Sequence, residues 1–298
     1  MKNQNDVGNE NPENNVKIAL VTGSSSGIGY ATALQLARNG YLTFATMRNP
    51  AKGTSLMKAA NDENLPIMAE KLDVTDPDSI RDSLTKIDSS VGRIDVLVNN
   101  AGFVSLGPIE DISIKEIEEQ FDTNLLGAIR VIQQALPIMR RNRSGIIVNI
   151  SSVVGRFGLP GMSAYVSTKF ALEGLSESLA YEVAPFGIKV ILIEPGVVKT
   201  RILDNGIISQ GAVKGDSPYS SILGSLKATF TAMMEKATTS PDEVAMAILQ
   251  AISSLEPHLR YPVGHDALAW LEKKSILTDE QFQKFMKNSM ANAVPSQR

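Results

Sequence analysis

Tyr165 and Lys169 stand four residues apart in a stretch of helical periodicity, Met162 to Val183. At that spacing two side chains share one helix face, with Cβ atoms ~6 Å apart. A free phenol titrates near 10, too high for ready proton exchange at neutral pH. A neighbouring ammonium favours the phenolate and lowers that value by ~1–3 pH units. Ser152 lies thirteen residues before Tyr165, at the carboxyl edge of the strand Gly145-Ile146-Ile147-Val148-Asn149-Ile150. Its hydroxyl can donate to an oxygen on which negative charge develops, as at an oxyanion site. Ser151 points to the opposite face by strand alternation and reads as structural. A Tyr-x-x-x-Lys pair alone is ordinary helix chemistry, so its weight comes from what else converges on it.

A second motif does converge. Thr22-Gly23-Ser24-Ser25-Ser26-Gly27-Ile28-Gly29 joins the strand Lys17–Thr22 to a helix running from Gly27 to Asn39. Gly23 permits a tight turn, Gly27 lets backbone approach a pyrophosphate, and Gly29 allows close helix–strand packing. The helix N-terminus adds free N–H groups and partial positive charge for an anion. The Gly-x-x-x-Gly-x-Gly spacing is one residue longer than the common Gly-x-Gly-x-x-Gly form. In its strand–turn–helix setting it reads as a dinucleotide site rather than a plain glycine turn.

The elements that must position these groups alternate along the chain. Strands are expected at 17–22, 41–47, 67–73, 94–99, 145–150 and 188–194. Helices are expected at 27–39, 49–61, 76–90, 113–139 and 162–183. Asp76-Pro77 opens its helix as an N-cap with proline at the first helical position. Near-continuous apolar strands separated by helices predict an α/β fold, a doubly wound parallel sheet (Rossmann fold) in one domain with helices on both faces. Ligands of such sheets bind at the carboxyl ends of the strands. Residues 16–264 are expected to form this domain, with a mobile substrate loop and short helices over 197–238. A helix should follow at 240–254, then a last strand at 260–263 and a helical C-terminal extension over 265–298. Residues 1–15, with six asparagines and almost nothing apolar, read as a disordered tail.

Composition narrows the function. The 298 residues carry a net charge of -3 and no basic stripe, which argues against a nucleic-acid partner. The absence of cysteine removes disulfides, thiolate metal sites and thiol catalysis. His258 and His265 are too few for a histidine metal site, and none is expected. No apolar run reaches the ~18 residues of a membrane span, and the first residues lack the apolar core of a signal peptide. The expected compartment is the cytoplasm.

Taken in order, the glycine loop, Asn99-Asn100-Ala101-Gly102, Ser152, Tyr165-Val166-Ser167-Thr168-Lys169 and Pro195-Gly196 resemble the short-chain dehydrogenase/reductase family in its single-domain branch. The resemblance spans about Lys17 to Gly264, and Ala45-Thr46-Met47-Arg48-Asn49 looks like the hydroxysteroid and retinol dehydrogenase subgroup. It implies reversible hydride transfer between a nicotinamide dinucleotide and a carbonyl or secondary alcohol. Tyr165 would exchange the proton, Ser152 polarise the substrate oxygen, and Lys169 tune Tyr165 and bind the nicotinamide ribose. Asn124, interrupting its helix, would anchor a water in a proton relay. The cofactor would be held by Gly23, Ser25, Ser26, Gly27, Ile28 and Gly29, with Asp73 and Val74 at the adenine. Asn99, Ala101, Gly102, Tyr165, Lys169, Pro195 and Gly196 would line it, and Val198 and Thr200 would hold the carboxamide.

An acidic residue ending the second strand would bind the ribose 2′-OH of NAD and repel a 2′-phosphate. Here Met47 takes that place and Arg48 follows, offering a planar fork suited to phosphate, with the Ser26 hydroxyl nearby. NADP(H) is therefore expected over NAD(H). The competing reading makes Arg48 a solvated surface charge. Val153, Val154, Phe157, Leu159 and Met162, with Ile202, Leu203, Ile207 and Ile208, either line an apolar pocket for a lipid-like or steroid-like substrate or belong to the core. A non-catalytic NADP(H)-sensing protein is the alternative, though it would be expected to have lost Tyr165 or Lys169. An epimerase fits less well, given the short chain after Pro195. Packing of the long helices predicts a homodimer or homotetramer.

Overall fold

The computed structural model describes residues 16–200, 207–208 and 217–291. The expected tail at 1–15, and Ile202 and Leu203, fall outside the described residues. The central sheet contains seven strands, all parallel: β1 (Ile18–Thr22), β2 (Leu42–Met47), β3 (Ile67–Lys71), β4 (Val96–Asn99), β6 (Gly145–Ile150), β7 (Ile188–Pro195) and β9 (Arg260–Val263). Their spatial order is β3-β2-β1-β4-β6-β7-β9. The direction of winding reverses between β1 and β4, which opens a crevice at their carboxyl ends. Ile18, Ala19, Leu20, Val21 and Thr22 are all buried, as a central strand covered on both faces requires. A second, two-stranded sheet pairs β5 (Ser105–Leu106) with β8 (Ile207–Ile208) in parallel, which the sequence did not announce.

Helices α1 (Gly27–Arg38), α2 (Thr54–Asp62), α3 (Pro77–Val91), α4 (Ile114–Phe121), α5 (Gly127–Asn142) and α6 (Ser163–Val183) cover the sheet with α8 (Pro241–Ser253). One face is sealed by Ile80, Leu84 and Ile87 of α3, Val131, Ile132, Ala135 and Met139 of α5, and Leu179 of α6. The other is sealed by Leu36 of α1 with Val244, Ile248 and Ile252 of α8. Each fully buried Leu or Ile contributes about 1.5–3 kcal/mol, and both layers are lost if the strands slip by one residue. Asp76 caps α3 by accepting from the Asp78 N–H, with Pro77 at its first turn. Ser240 and Glu243 form a reciprocal capping box at the start of α8.

The single long helix expected at 113–139 is α4 and α5 joined by one π-helical turn, Asp122–Leu126. Within 197–238, α7 (Ser220–Lys236) is one helix of 17 residues rather than several short ones. Of the C-terminal extension expected over 265–298, the described part forms two helices, α9 (His265–Ile276) and α10 (Asp279–Ala291), and 292–298 fall outside the described residues. Thr278 separates them and starts the second by accepting from the Gln281 N–H. Among the described residues no helix is long and apolar enough to cross a membrane.

Candidate active site

The floor of the crevice is a latch between β1 and β4. The Asn100 side-chain amide donates to the Thr22 and Gly23 carbonyls at 2.9 and 3.1 Å. The Asn100 and Ala101 N–H groups both donate to the Thr22 hydroxyl. Above it runs the glycine loop. Gly23 and Gly27 take φ of +69° and +59°, which L side chains rarely adopt. A Cβ on Gly29 would fall 2.4 Å from the Gly23 carbonyl oxygen and from the Asn100 amide nitrogen, so this glycine lets α1 close on the loop and on Asn100 rather than on a strand. Among the described residues a Cβ on Gly27 would meet only Thr200, at 3.6 Å. Ser26 is exposed at the N-cap position of α1, and its hydroxyl makes no capping bond. Ser24 is fully buried and donates to the Val21 carbonyl. An open glycine with free helix N–H groups beside it is a cradle that fits a phosphate.

Along the crevice toward β2, Met47 is buried against Gly53, and no carboxylate stands at the strand end. Arg48 is exposed and has no ion pair among the described residues. Asp73 accepts from the Thr75 N–H and hydroxyl through Oδ1, which fixes the turn after β3. The Val74 side chain packs on Gly127 in the core, so at this residue only backbone is available to a base. Asn99 is buried, donating to Asn149, which donates to Ser176. The Asn99 Oδ1 is buried without a partner.

On the far bank, Ser152 begins the short 3-10 turn Val153–Gly155 and donates to the Pro195 carbonyl at 3.3 Å. Tyr165 and Lys169 are 8% and 7% exposed. Lys169 Nζ donates to the Ile150 carbonyl at 2.8 Å and stands 5.6 Å from the Tyr165 ring centroid. Burial pushes the Tyr165 phenol up to about 12, opposed by its neighbour Ser152. Burial also brings the Lys169 ammonium down to about 8, with Glu173 resisting. The net displacement of Tyr165 is thus upward, opposite to the lowering expected from its spacing to Lys169. Desolvation of the phenolate dominates in the cofactor-free site, where the one hydrogen bond given for Lys169 Nζ goes to Ile150.

Asn124 sits in the π-helical turn and clamps one backbone unit. Its Oδ1 accepts from the Phe103 N–H at 3.0 Å and its Nδ2 donates to the Phe103 carbonyl at 2.8 Å. It also reaches Thr168, next to Lys169, at 3.4 Å. A Cβ on Gly102 would lie 3.1 Å from Asn124 Oδ1, which explains a glycine there. Beyond β7, the Val197 N–H donates to Asp266 of α9 at 2.7 Å, and a Cβ on Gly196 would collide with that carboxylate at 2.3 Å. Val198 bridges Thr239, and Thr200 faces Gly27 across the loop. Val153, Val154, Phe157, Leu159 and Met162 are buried with Tyr165 in one apolar cluster, closed by Phe282 and Met286 of α10 and edged by Trp270 of α9.

Sequence reasoning gave no role to Thr22, Asn100, Asp266 or Glu173. Thr22 and Asn100 lay within the quoted motifs without a role of their own, and Glu173 carried a local signal in lying four residues beyond Lys169 on the same helix face.

The crevice therefore has the form of a dinucleotide site with acid–base groups on its far bank. Residues 17–207 match the short chain dehydrogenase family, and the chain belongs to it. A 3-ketodihydrosphingosine reductase of Bacteroides thetaiotaomicron is 35% identical over 268 residues, 90% of this chain and 95% of that one. Human retinol dehydrogenase 8 is 37% identical over 254 residues, 82% of this chain and 80% of that one. A short-chain dehydrogenase from Streptomyces avermitilis superposes with a TM-score of 0.79 at 34% identity, covering 93% of this chain and 98% of that one. A gluconate 5-dehydrogenase from Burkholderia cenocepacia, solved with NADP and tartrate, gives 0.69 at 26% identity, covering 85% and 95%. The chain is thus an NAD(P)-dependent oxidoreductase by family.

Proposed function

We propose that this protein transfers hydride between NADP(H) and a carbonyl or secondary alcohol on an apolar substrate, with Tyr165 as the general acid/base. The observation that carries the reading is the convergence of Ser152, Tyr165 and Lys169 at the carboxyl end of β6, in the crevice that the glycine loop enters. When bound, the nicotinamide supplies or takes up the hydride. Gly23, Ser25, Ser26, Gly27, Ile28 and Gly29 hold the pyrophosphate side, and Asp73 and Val74 border the adenine. Asn99, Ala101, Gly102, Pro195, Gly196, Val198 and Thr200 line the remainder. Arg48 and Ser26, exposed and uncommitted, favour a 2′-phosphate, and the lack of an acidic residue at Met47 removes the repulsion that would oppose it.

In reduction Tyr165 gives its proton to the oxygen of the substrate. A phenol held near 12 stays protonated at neutral pH and releases its proton only as alkoxide charge develops. Ser152, bound only weakly to Pro195, can turn its hydroxyl to that oxygen, and Lys169 supports the phenolate left behind. Asn124, beside Thr168 on its π-helical turn, is assigned to the proton path outward from Lys169. The apolar cluster around Tyr165, and relatives named for 3-ketodihydrosphingosine and retinol, support a lipid-like substrate. Exposed Leu126, Phe170 and Tyr181 on the long helices support assembly into a homodimer or homotetramer.

The test is a panel of long-chain ketones, aldehydes and secondary alcohols, each with NADPH and NADH. Turnover of apolar members with NADPH preferred by at least tenfold is expected. Tyr165→Phe should still bind NADPH while losing at least a thousandfold in kcat. A folded Tyr165→Phe protein with parental kcat would overturn the assignment.

A further inference from the structure

Behind the catalytic lysine lies a buried charged cluster that the reaction above leaves unused. Glu173, one turn beyond Lys169 on α6, is 5% exposed, and Glu194, next to the end of β7, is 1% exposed. Arg260 on β9 reaches both, with Nε 2.9 Å from Glu173 Oε2 and 3.6 Å from Glu194 Oε1. Its other arm donates to Glu177 at 2.7 Å. Arg156, just past the Ser152 turn, donates to Glu194 Oε1 at 3.0 Å. Glu173 Oε1, Glu194 Oε2 and Ser151 Oγ are buried without hydrogen-bond partners. Gly155 packs among them, since a Cβ there would lie 2.9 Å from Ser151 Oγ and 3.3 Å from Glu173 Oε1.

Two buried carboxylates that share one guanidinium do not both keep their charge easily. Burial pushes the Glu194 carboxyl up, and the charge of Glu173 pushes it further. Glu173 is hydrogen-bonded to Arg260, whereas Glu194 reaches that guanidinium only at 3.6 Å and leans on Arg156 instead. The positive charge of Arg260 is in turn balanced by Glu177. Facing Lys169 are the Ile150 carbonyl from β6, the Tyr165 ring and Glu173. Facing Glu173 are Arg260 from β9, Glu194 from β7, and Gly155 and Ser151 from the segment after β6, while Arg156 faces Glu194. Of the groups around Lys169, Glu173 is the one that favours a charged amine against burial.

We propose that Glu173 is a positioning residue for the reaction: its carboxylate, anchored by Arg260 one helical turn beyond Lys169, favours the ammonium form of that amine. This rests on the roles given above to Tyr165 and Lys169, but its first readout does not. The Lys169 Cε resonance of ¹³C-labelled, cofactor-free protein reports the titration of that amine directly. In the parent the midpoint is expected at about 8, and in Glu173→Gln about one pH unit lower or more. For carbonyl reduction, kcat/KM of Glu173→Gln should then fall roughly fivefold or more at pH 8 and stay within about twofold of the parent at pH 6. Glu173→Asp should recover most of the difference. Glu194→Gln should leave the midpoint in place, since that side chain pairs with Arg156 rather than with Lys169.

Arg260→Met gives an independent arm should Glu173→Gln not fold. Without its anchor the Glu173 side chain is no longer held in its place beside Lys169, and the midpoint of that amine drops as well. An unmoved midpoint in either folded variant overturns the proposal. So does a loss of activity uniform across pH, or a midpoint displaced by Glu194→Gln. Failure of the catalytic reading itself would appear elsewhere, as turnover by Tyr165→Phe.

Discussion

Replacing Lys169 by methionine should change how stability depends on pH, by an amount that follows from its burial. The amine titrates at 10.5 in an open chain and at about 8 in the folded protein. Between those values the unfolded chain binds the proton that the folded protein has released, so unfolding becomes harder as pH rises. At about 1.4 kcal/mol per tenfold step, the parent gains about 3 kcal/mol across that window. Lys169→Met lacks this rise. It also strands the Ile150 carbonyl, which Lys169 Nζ now satisfies at 2.8 Å, at a cost of about 1–2 kcal/mol. At pH 7 the variant is thus expected to be about 1–2 kcal/mol more stable than the parent while inactive. By pH 10 the order should reverse. Urea unfolding at pH 7, 8, 9 and 10 measures both curves; Tyr165, at 10 in an open chain and about 12 when folded, begins to act in the opposite sense only near pH 10 and is present in both proteins. A difference between the two proteins that does not vary with pH would refute the reasoning, since it would mean that Lys169 keeps its ordinary acidity in the folded state.

Two other substitutions probe the cofactor side. Arg48→Asp is expected to raise KM for NADPH at least tenfold and to lower that for NADH, because a carboxylate would repel the 2′-phosphate and accept from a ribose hydroxyl; steady-state kinetics with both coenzymes checks it. Asp266→Ala removes the acceptor of the Val197 N–H and should cost about 1–3 kcal/mol in unfolding free energy. It should also raise KM for the coenzyme more than it lowers kcat, because the loop it frees leads to Val198 and Thr200.

The parts of the site visible in the sequence are those encoded over a few neighbouring residues. The glycine loop, the Asp76-Pro77 start of α3, the buried strands and the Tyr165–Lys169 spacing all depend on local geometry, and local pattern reveals them. Asn124 showed only as an oddity within a helix; its hold on Phe103 depends on a π-helical turn that brings together groups 21 residues apart. The cluster of Glu173, Glu194 and Arg260 unites one helix and two strands, and Asp266 acts on a backbone 69 residues away. Nothing in periodicity or composition announces such meetings, because they are set by how elements stack. The direction in which Tyr165 is displaced was misjudged for a related reason. Spacing gives the proximity of a charge, whereas desolvation depends on the whole surrounding shell, including helices from the far end of the chain.

The hydrogen bonds that tie Asn100 to Thr22 and Gly23 have a thermodynamic corollary. They are made within the protein, by groups that a dinucleotide does not need to recruit, so the seat is shaped before any guest arrives. Little of the free energy of association then goes into ordering the polypeptide, and more of it is available as affinity. An Asn100→Ala protein would have to assemble that seat at each encounter, and its weakened grip would appear as an entropic loss in calorimetry.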